Sequence, residues 1–217
     1  MLFDLDGTLV DTAPDLVAVL NALLFERGRV RVPYAVARNE ASNGAAGLLR
    51  LGFGDLAPSE LEELRQRFLG IYRRDVCVRS RLFIDLEDLF EQTVECRWGI
   101  VTNKPGAFTE PLLEQLGIAD LWASIVSGDR LPQRKPDPAP LLLAARELGL
   151  EAADCIYVGD APRDIEAGRA AGMATVAAAF GYIRPSENPA AWGADAVIRQ
   201  PRQLAAVLRD LRDRRDA

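Results

Sequence analysis

The sequence contains no histidine among its 217 residues. This absence excludes Ser-His-Asp hydrolysis, Cys-His catalysis and HExxH zinc sites, because each of them needs an imidazole ring. It excludes phosphohistidine chemistry for the same reason. Any proton transfer must therefore be carried out by carboxylates, lysine, tyrosine or cysteine.

Cysteine is scarce as well, with Cys77, Cys96 and Cys155 far apart in the chain. An odd number without a CxxC pair indicates neither a disulfide framework nor a zinc site. None of the three is followed by an arginine six residues later, which excludes a Cys-x5-Arg phosphatase loop. We expect all three to be inert packing positions.

The sequence also lacks a long apolar run and a basic, apolar leader segment. A membrane-spanning helix needs roughly 18 to 20 continuous apolar residues, and no stretch approaches that length. The formal net charge of −6 makes nucleic acid or an anionic membrane an improbable partner. We therefore expect a cytoplasmic protein with neither partner; the oligomeric state is undetermined by these observations.

What is present is an alternation of short β-rich runs with amphipathic helical stretches, which is typical of an α/β fold with a parallel sheet. The predicted strands are Leu2–Leu5, Trp98–Thr102, Ala123–Val126, Cys155–Val158, Thr175–Ala179 and Ala196–Ile198. The predicted helices between and after them are Pro105–Leu116, Pro138–Leu148, Ala161–Ala171 and Pro201–Leu211. Gly117, Gly149 and Gly172 follow three of these helices at the position where glycine commonly closes a helix.

The alternation of strands and helices stops between Asp11 and about Arg81, where we predict no strand. Apolar residues at helical spacing and Pro14 in the first turn predict a helix over Asp15–Arg27, and Ser59–Arg74 forms a second, more charged helix. We interpret residues 12–81 as a helical insertion into the α/β core. The core then consists of residues 1–11 and 82–217.

Polar clusters follow several apolar runs directly. They are Asp4 and Asp6, the triplet Thr102-Asn103-Lys104, Lys135, and the pair Asp160 and Asp164. The carboxyl ends of neighbouring parallel strands form the crevice in which open α/β sheets bind ligands. We therefore expect Asp4, Asp6, Thr102 and Asp160 to converge there.

Several carboxylates in one crevice repel one another unless a cation neutralises them. Hard oxygen ligands favour Mg²⁺, which commonly joins one or two carboxylates to a phosphate. Lys135 and the Thr102 hydroxyl add donors suited to phosphate oxygens. Asp4 could then attack phosphorus, while Asp6 protonates the leaving oxygen and later deprotonates water.

The order DLDGTLVDT (Asp4–Thr12), TNK, KPDP and VGDAPRDIEAGRAAG (Val158–Gly172) resembles that of the haloacid dehalogenase-like (HAD-like) phosphatases over nearly the whole chain. The resemblance implies a doubly wound, Rossmann-like parallel sheet, with residues 12–81 as a small α-helical cap domain. It implies that Asp4 is the phospho-accepting nucleophile and Asp6 the acid/base. Thr102 and Lys135 become phosphate ligands.

The same resemblance implies a Mg²⁺ site. Its ligands would be the Asp4 carboxylate, the main-chain oxygen of Asp6 and Asp160, while Asp164 would support the water shell of the metal. The implied partner is a small phosphorylated metabolite. A finer resemblance points to the phosphoglycolate-phosphatase branch and, within it, to the N-acetylmuramate 6-phosphate phosphatases, through Arg73–Phe83, Trp98–Pro105 and Phe180–Asp195.

Three other functions stay open at this point. A phosphosugar mutase of the β-phosphoglucomutase type shares these motifs but shields the phosphoryl group from water. A haloacid dehalogenase uses the nucleophile without a second acid, so Asp6 counts against it. A non-catalytic, phospho-accepting binding module is the third, and the insertion of cap size argues against it.

The remaining polar residues have weaker expectations. Asn103 is predicted to contact the phosphoryl group, and Lys104 is expected to be a solvated neighbour of the site. Asn43-Gly44 is either a simple turn or a loop that reaches the site. Asp160 and Asp164 are spaced as at the start of a helix, so helix capping competes with a metal role for one of the two. Arg79 and Arg81 are candidate ligands of a substrate carboxylate.

Overall fold

The computed structural model describes residues 1–84, 86–93 and 96–213, and its main feature is a six-stranded parallel sheet. In chain order these strands are β1 (Leu2–Phe3), β4 (Gly99–Val101), β5 (Ser124–Val126), β6 (Ile156–Gly159), β7 (Ala174–Ala178) and β8 (Ala196–Ile198). Their order across the sheet is β5-β4-β1-β6-β7-β8. All six predicted strands are present, and β1 is two residues shorter at its carboxyl end than predicted.

The short strand β1 lies at the centre of the sheet. Leu2 is in register with Gly99 of β4 on one side and with Tyr157 of β6 on the other. Because side chains alternate along a strand, Leu2 and Phe3 point to opposite faces and belong to two different buried apolar clusters. Both residues are fully buried, so the sheet is covered on both faces.

Helices supply that cover. The helices of the core are α5 (Leu86–Gln92), α6 (Gly106–Gln115), α7 (Ala139–Glu147), α8 (Pro162–Ala170) and α9 (Leu204–Asp213). Apolar residues of α7 and α8 join the Leu2 cluster, while those of α6 and α9 join the Phe3 cluster. This is the doubly wound α/β fold that the sequence predicted. In the described part of the chain, no helix is long and apolar enough to cross a membrane.

The helix boundaries follow the predictions closely, with one difference at the carboxyl end. Gly117, Gly149 and Gly172 have φ values of 71°, 66° and 77°, the left-handed conformation that their positions required. Residues Pro201–Gln203 form a 3-10 turn, so α9 begins at Leu204 rather than at Pro201. Residues 214–217 of the predicted core lie outside the described residues.

Residues 12–81, which we call the helical segment, are mostly helical as predicted. The segment contains α1 (Ala13–Glu26), α2 (Tyr34–Ala37), α3 (Gly44–Phe53) and α4 (Pro58–Arg74), with a 3-10 turn over Arg38–Asn43. Buried apolar residues of α1, α3 and α4 pack together, among them Leu20, Leu49 and Phe68. The apolar faces of α1 and α4 are therefore buried, in a cluster that continues into the core.

The prediction that no strand lies between Asp11 and Arg81 was wrong at its edges. Strand β2 (Val10–Asp11) pairs antiparallel with β3 (Arg81–Leu82), where the chain enters and leaves the helical segment. Each strand has only two residues, too few to show a period of two in the sequence. The buried carboxylate of Asp15 strengthens the junction, since it accepts hydrogen bonds from the backbone N–H groups of Val78, Arg79 and Ser80.

Candidate active site

The predicted site residues meet at the carboxyl ends of the three central strands. Asp4 follows β1, Thr102 follows β4 and Asp160 follows β6, and all three side chains are buried. A cavity of about 390 Å³ opens between these strand ends and the helical segment. Asp4, Asp6, Thr102, Asn103 and Lys135 line this cavity, whereas Asp160 and Asp164 are not among its lining residues.

Three carboxylates, one of them that of Asp4, form a compact buried cluster. Asp4, Asp160 and Asp164 each offer an oxygen, and these oxygens lie within 4.8 Å of one another. The Asp160 Oδ2 accepts hydrogen bonds from the backbone N–H of Tyr182 (2.8 Å) and from the Ser42 hydroxyl (3.0 Å). Its Oδ1 is buried and has no hydrogen-bond partner within the described residues. Such an orphaned oxygen next to two further carboxylates fits a hard divalent cation.

The backbone leaves almost no space around Asp160. Gly7 has a φ of 84°, and a Cβ built on it would lie 2.1 Å from the Asp160 Oδ2. A Cβ on Gly181 would lie 2.3 Å from the Asp160 Cβ. Glycine at both positions therefore lets the two loops close around the carboxylate, which fixes its orientation.

Crowding changes the protonation of this cluster. Burial raises the pKa of Asp160 to about 7, and the nearby charges of Asp4 and Asp164 add to the rise. Burial also raises the pKa of Asp4 to about 6, against the opposing effect of the Lys135 ammonium. Both carboxylates therefore hold protons more tightly than a solvated aspartate when no cation is bound.

Lys135 supplies a buried positive charge to this cluster. Its Nζ lies 2.8 Å from an oxygen of Asp4 and 2.8 Å from an oxygen of Asp164, with a side-chain exposure of 1%. The same ammonium donates to the Tyr157 hydroxyl (2.7 Å) and to the Val101 carbonyl (2.9 Å). Burial lowers the pKa of Lys135, but the two carboxylates outweigh it and the net shift is upward. Lys135 thus ties the nucleophile candidate to the Asp164 carboxylate.

Asp164 performs the capping that competed with metal support. Its Oδ2 accepts a hydrogen bond of 3.0 Å from the backbone N–H of Ala161, at the start of α8. Its Oδ1 meanwhile pairs with Lys135, so the two roles use different oxygens. Helix capping and membership of the carboxylate cluster are therefore compatible in this residue.

Asn103 is occupied in a way that the sequence did not suggest. Its Nδ2 donates to the Lys135 carbonyl, and its Oδ1 accepts from the Lys135 N–H, both at 3.1 Å. The side chain therefore holds the backbone of Lys135 in place, and the predicted phosphoryl contact stays a prediction. The Thr102 hydroxyl accepts from the Lys104 N–H at 3.1 Å, so its own proton can be donated to a ligand.

The expectation of a solvated Lys104 was wrong. Its side chain is only 7% exposed, and its Nζ lies 3.1 Å from the Asp6 Oδ1 and 3.0 Å from the Tyr72 hydroxyl. Burial lowers the pKa of Lys104, but the attraction of Asp6 and the contact with Tyr72 make the net shift upward. The signal was missed because Tyr72 is 32 residues away in sequence, on α4 of the helical segment.

The turn Arg38–Asn43 brings the helical segment to the core. Ser42 contacts Asp160 through its hydroxyl, and its carbonyl accepts a hydrogen bond of 2.8 Å from Arg163. Arg38 donates to the carbonyls of Gly181 and Phe180. Asn43 and Gly44 line the cavity, so the open question about this pair is answered in favour of a loop that reaches the site.

Three arginines that the sequence did not single out also line the cavity, namely Arg65, Arg134 and Arg163. Arg79 and Arg81 are not among the lining residues. Arg81 instead donates to the Ser80 carbonyl, and the Arg79 N–H binds Asp15. Arg65 belongs to the helical segment, whose face toward the core depends on tertiary packing, while Arg134 and Arg163 belong to the core.

Comparisons with known proteins identify the family to which the chain belongs. The sequence profile of the haloacid dehalogenase-like hydrolases matches residues 1–178. The chain belongs to this family. An N-acetylmuramic acid 6-phosphate phosphatase of Pseudomonas putida is 44% identical over 211 residues, which cover 96% of this chain and 95% of that protein. A phosphoglycolate phosphatase of Xanthomonas campestris is 43% identical over 206 residues, covering 94% of this chain and 93% of that protein.

A solved structure of similar fold agrees with the family assignment. The crystal structure of a predicted phosphoglycolate phosphatase from Haemophilus somnus superposes with a TM-score of 0.82 at 28% identity, covering 95% of this chain and 96% of that one. The predicted resemblance to HAD-like phosphatases is therefore confirmed, as is the enzyme class. This chain is a phosphatase of the HAD-like hydrolase family, and its doubly wound core is the fold of that family.

Proposed function

We propose that this chain is a Mg²⁺-dependent phosphatase that hydrolyses a small phosphomonoester through an aspartyl-phosphate at Asp4. The observation that carries the proposal is the position of Asp4. It lines the cavity together with Asp6, and it lies in one buried cluster with Asp160, Asp164 and Lys135. A nucleophile, a second carboxylate and a cation-binding cluster therefore share one site.

The residues account for both halves of the reaction. In the first half, an Asp4 oxygen forms a bond to phosphorus and the ester P–O bond breaks, while Asp6 gives its proton to the departing oxygen. In the second half, Asp6 takes a proton from water, whose oxygen attacks phosphorus and releases the Asp4 carboxylate. The products are an alcohol and inorganic phosphate, and both aspartates return to their initial states.

The carboxylate cluster would hold the Mg²⁺ through Asp4 and Asp160, with the main-chain oxygen of Asp6, and Asp164 would support its water shell. A bound Mg²⁺ neutralises negative charge on the carboxylates and on the phosphoryl oxygens. Lys135 holds the Asp4 carboxylate in place, and the Thr102 hydroxyl has a proton to donate to a phosphoryl oxygen.

We further propose that residues 12–81 act as a cap domain over the site and residues 1–11 and 82–217 as the catalytic core. The cavity supports this division, because strand-end residues such as Asp4 and Thr102 line one side and residues of the helical segment such as Ser42 and Tyr72 line the other. The paired strands β2 and β3 place both connections side by side. A location in the cytoplasm stays a prediction.

For the substrate we propose a phosphosugar that carries a carboxylate, with N-acetylmuramate 6-phosphate as the first candidate. The relatives that are 44% and 43% identical act on this compound and on phosphoglycolate, respectively. A cavity of about 390 Å³ falls within the range of roughly 300 to 1,000 Å³ that is typical of ligand pockets, so it has room for a phosphosugar. Three lining arginines suit the carboxylate of either compound.

The test is phosphate release from a panel of phosphosugars and phosphoacids with Mg²⁺, set against the same panel with EDTA. We expect Mg²⁺-dependent release, with kcat/KM highest for N-acetylmuramate 6-phosphate. A higher value for phosphoglycolate would contradict the substrate proposal. Isomerisation with little phosphate release would point to a mutase, and no turnover of any compound would remove the enzymatic proposal.

A further inference from the structure

We propose that Lys104 is a positioning residue for the acid/base Asp6, and that Tyr72 of the helical segment holds Lys104 in that role. The acid that protonates the leaving group would then be fully assembled only when α4 lies where it does in this structure. The inference rests on the proposed function, since it assigns a task to Asp6 in phosphoester cleavage.

The contacts around Lys104 are close and buried. Its Nζ lies 3.1 Å from the Asp6 Oδ1, 3.4 Å from the Asp6 Oδ2 and 3.0 Å from the Tyr72 hydroxyl. The ammonium also lies 4.7 Å from the centre of the Tyr72 ring. A lysine shielded from water in this way has a defined position, unlike a surface lysine that samples many rotamers.

The backbone of Lys104 belongs to the core. Its N–H donates to the Thr102 hydroxyl, and its carbonyl accepts from the Gly128 N–H at 2.8 Å. The side chain therefore starts from a fixed point at the end of β4 and reaches across to Asp6. The Tyr72 contact comes from the helical segment, so this chain of contacts links the helical segment to the core.

Asp6 is held from its other side by Thr12. The Thr12 hydroxyl donates to the Asp6 Oδ1, and the Thr12 N–H donates to the Tyr182 hydroxyl at 2.6 Å. Oδ1 thus receives both short contacts, while Oδ2 receives the 3.4 Å contact with Lys104. This arrangement fixes the rotation of the carboxyl group and leaves Oδ2 the less engaged oxygen for the leaving group. Since Asp6 lines the cavity, the geometry points to Lys104 and Thr12 as the pair that orients the acid.

A positioning role makes a prediction that a purely structural role does not. An alkyl phosphate has a poor leaving group and needs the proton of Asp6 as its ester bond breaks. In para-nitrophenyl phosphate the leaving phenolate is already stable, so protonation matters little. The value of kcat/KM covers the steps up to formation of the aspartyl-phosphate, and therefore reports on this proton transfer without the later hydrolysis.

The experiment compares kcat/KM for the best alkyl phosphate of the panel with that for para-nitrophenyl phosphate. For Lys104→Met we expect a loss on the order of 10²-fold with the alkyl phosphate and a loss of only a few-fold with the aryl phosphate. Tyr72→Phe should shift the same ratio in the same direction by less, and Lys104→Arg should restore part of it. Arg67→Met, an exposed position on α4 paired with Glu26, is the matched control and should leave both values unchanged.

An equal loss on both substrates in Lys104→Met, with no change in ratio for Tyr72→Phe, would overturn the proposal. Circular dichroism and thermal unfolding show whether each variant folds. If Lys104→Met does not fold, the ratios of Lys104→Arg and Tyr72→Phe decide the question by the same criterion. Failure of the proposed function gives a different result, because the unmodified enzyme would then hydrolyse neither substrate.

Discussion

The two sides of the cavity are built differently. On the strand-end side, the polar side chains of Asp4, Lys135 and Asp164 are buried and bind one another within a few residues of the central strands. On the side of the helical segment, the polar contacts with the core come from separate residues. Ser42 of the turn Arg38–Asn43 hydrogen-bonds with Asp160 and Arg163, and Tyr72 of α4 accepts a hydrogen bond from Lys104.

Because of this difference, substitutions on the two sides of the cavity should affect different properties of the enzyme. Loss of the Lys135 ammonium would leave the carboxylates of Asp4 and Asp164 buried without their shared cation. A single hydrogen bond between two packed segments can be lost at a cost of only about 0.5 to 1.5 kcal/mol. Substitutions on the strand-end side should therefore lower kcat and stability, whereas those on the helical side should mainly change KM and leaving-group preference.

The largest expected effect is that of Asp4→Asn. An amide cannot form the aspartyl-phosphate, so kcat should fall by about 10⁴-fold or more, as when other enzymes lose their nucleophile. The fold should persist, because the asparagine has nearly the same shape. Phosphate release and circular dichroism measure the two quantities. Retention of more than a hundredth of the activity would contradict Asp4 as the nucleophile.

Lys135→Met should come next and should affect stability as well as activity. It leaves Asp4 and Asp164 buried without their shared cation, and breaking a buried pair in this way typically costs about 3 to 5 kcal/mol of the free energy of unfolding. Urea unfolding at about pH 8 in EDTA measures the loss. Arg130→Met, which breaks the exposed pair with Glu147, is the control and should cost less than about 1 kcal/mol.

The dependence of stability on pH should also distinguish the carboxylate cluster. Because the pKa values of Asp4 and Asp160 are raised to about 6 and about 7, their protonated forms favour the folded state, and this stabilisation is lost as pH rises through those values. Without metal, the melting temperature should therefore fall as pH rises from about 4, near the ordinary pKa of an aspartate, to about 7. The raised pKa of Lys135 leaves this window unaffected, since that group stays charged throughout.

Mg²⁺ should reverse this trend, since it binds the deprotonated carboxylates. We expect Mg²⁺ to raise the melting temperature more at about pH 8 than at about pH 5. Asp160→Asn should remove most of the Mg²⁺ effect. Equal Mg²⁺ shifts at both pH values would contradict a metal site built on these carboxylates.

The smallest effect is expected on the helical side, for Arg38→Met. This change removes the donors to the carbonyls of Gly181 and Phe180 and the cation above the Tyr182 ring, at 5.0 Å. We expect KM to rise by a few-fold while kcat stays within about twofold, because the turn no longer holds its place. Steady-state kinetics separates the two constants, and Arg27→Met, at an exposed pair with Glu63, is the control. A loss confined to kcat would contradict the expectation that the helical side mainly affects KM.

The strand-end side was predictable because topology alone brings its residues together. Asp4, Thr102 and Asp160 each follow a run that had to be a parallel strand, and adjacent parallel strands end at the same edge. The packing of α4 and of the turn Arg38–Asn43 against that edge leaves no comparable trace in the sequence. The burial of Lys104 could not be predicted because it depends on the distant Tyr72. The pairing of β2 with β3 could not be predicted either.

The hydrogen bond from Ser42 to Asp160 has a thermodynamic consequence. It joins the helical segment to a carboxylate of the proposed cation site, so binding of a cation and closure of the proposed cap would be energetically coupled. If closure raises the affinity of the cluster for a divalent ion by some factor, binding of the ion favours closure by the same factor. Apparent metal affinity would then rise with any substrate that holds the segment closed. A titration of one ligand in the presence of the other would measure this reciprocity directly.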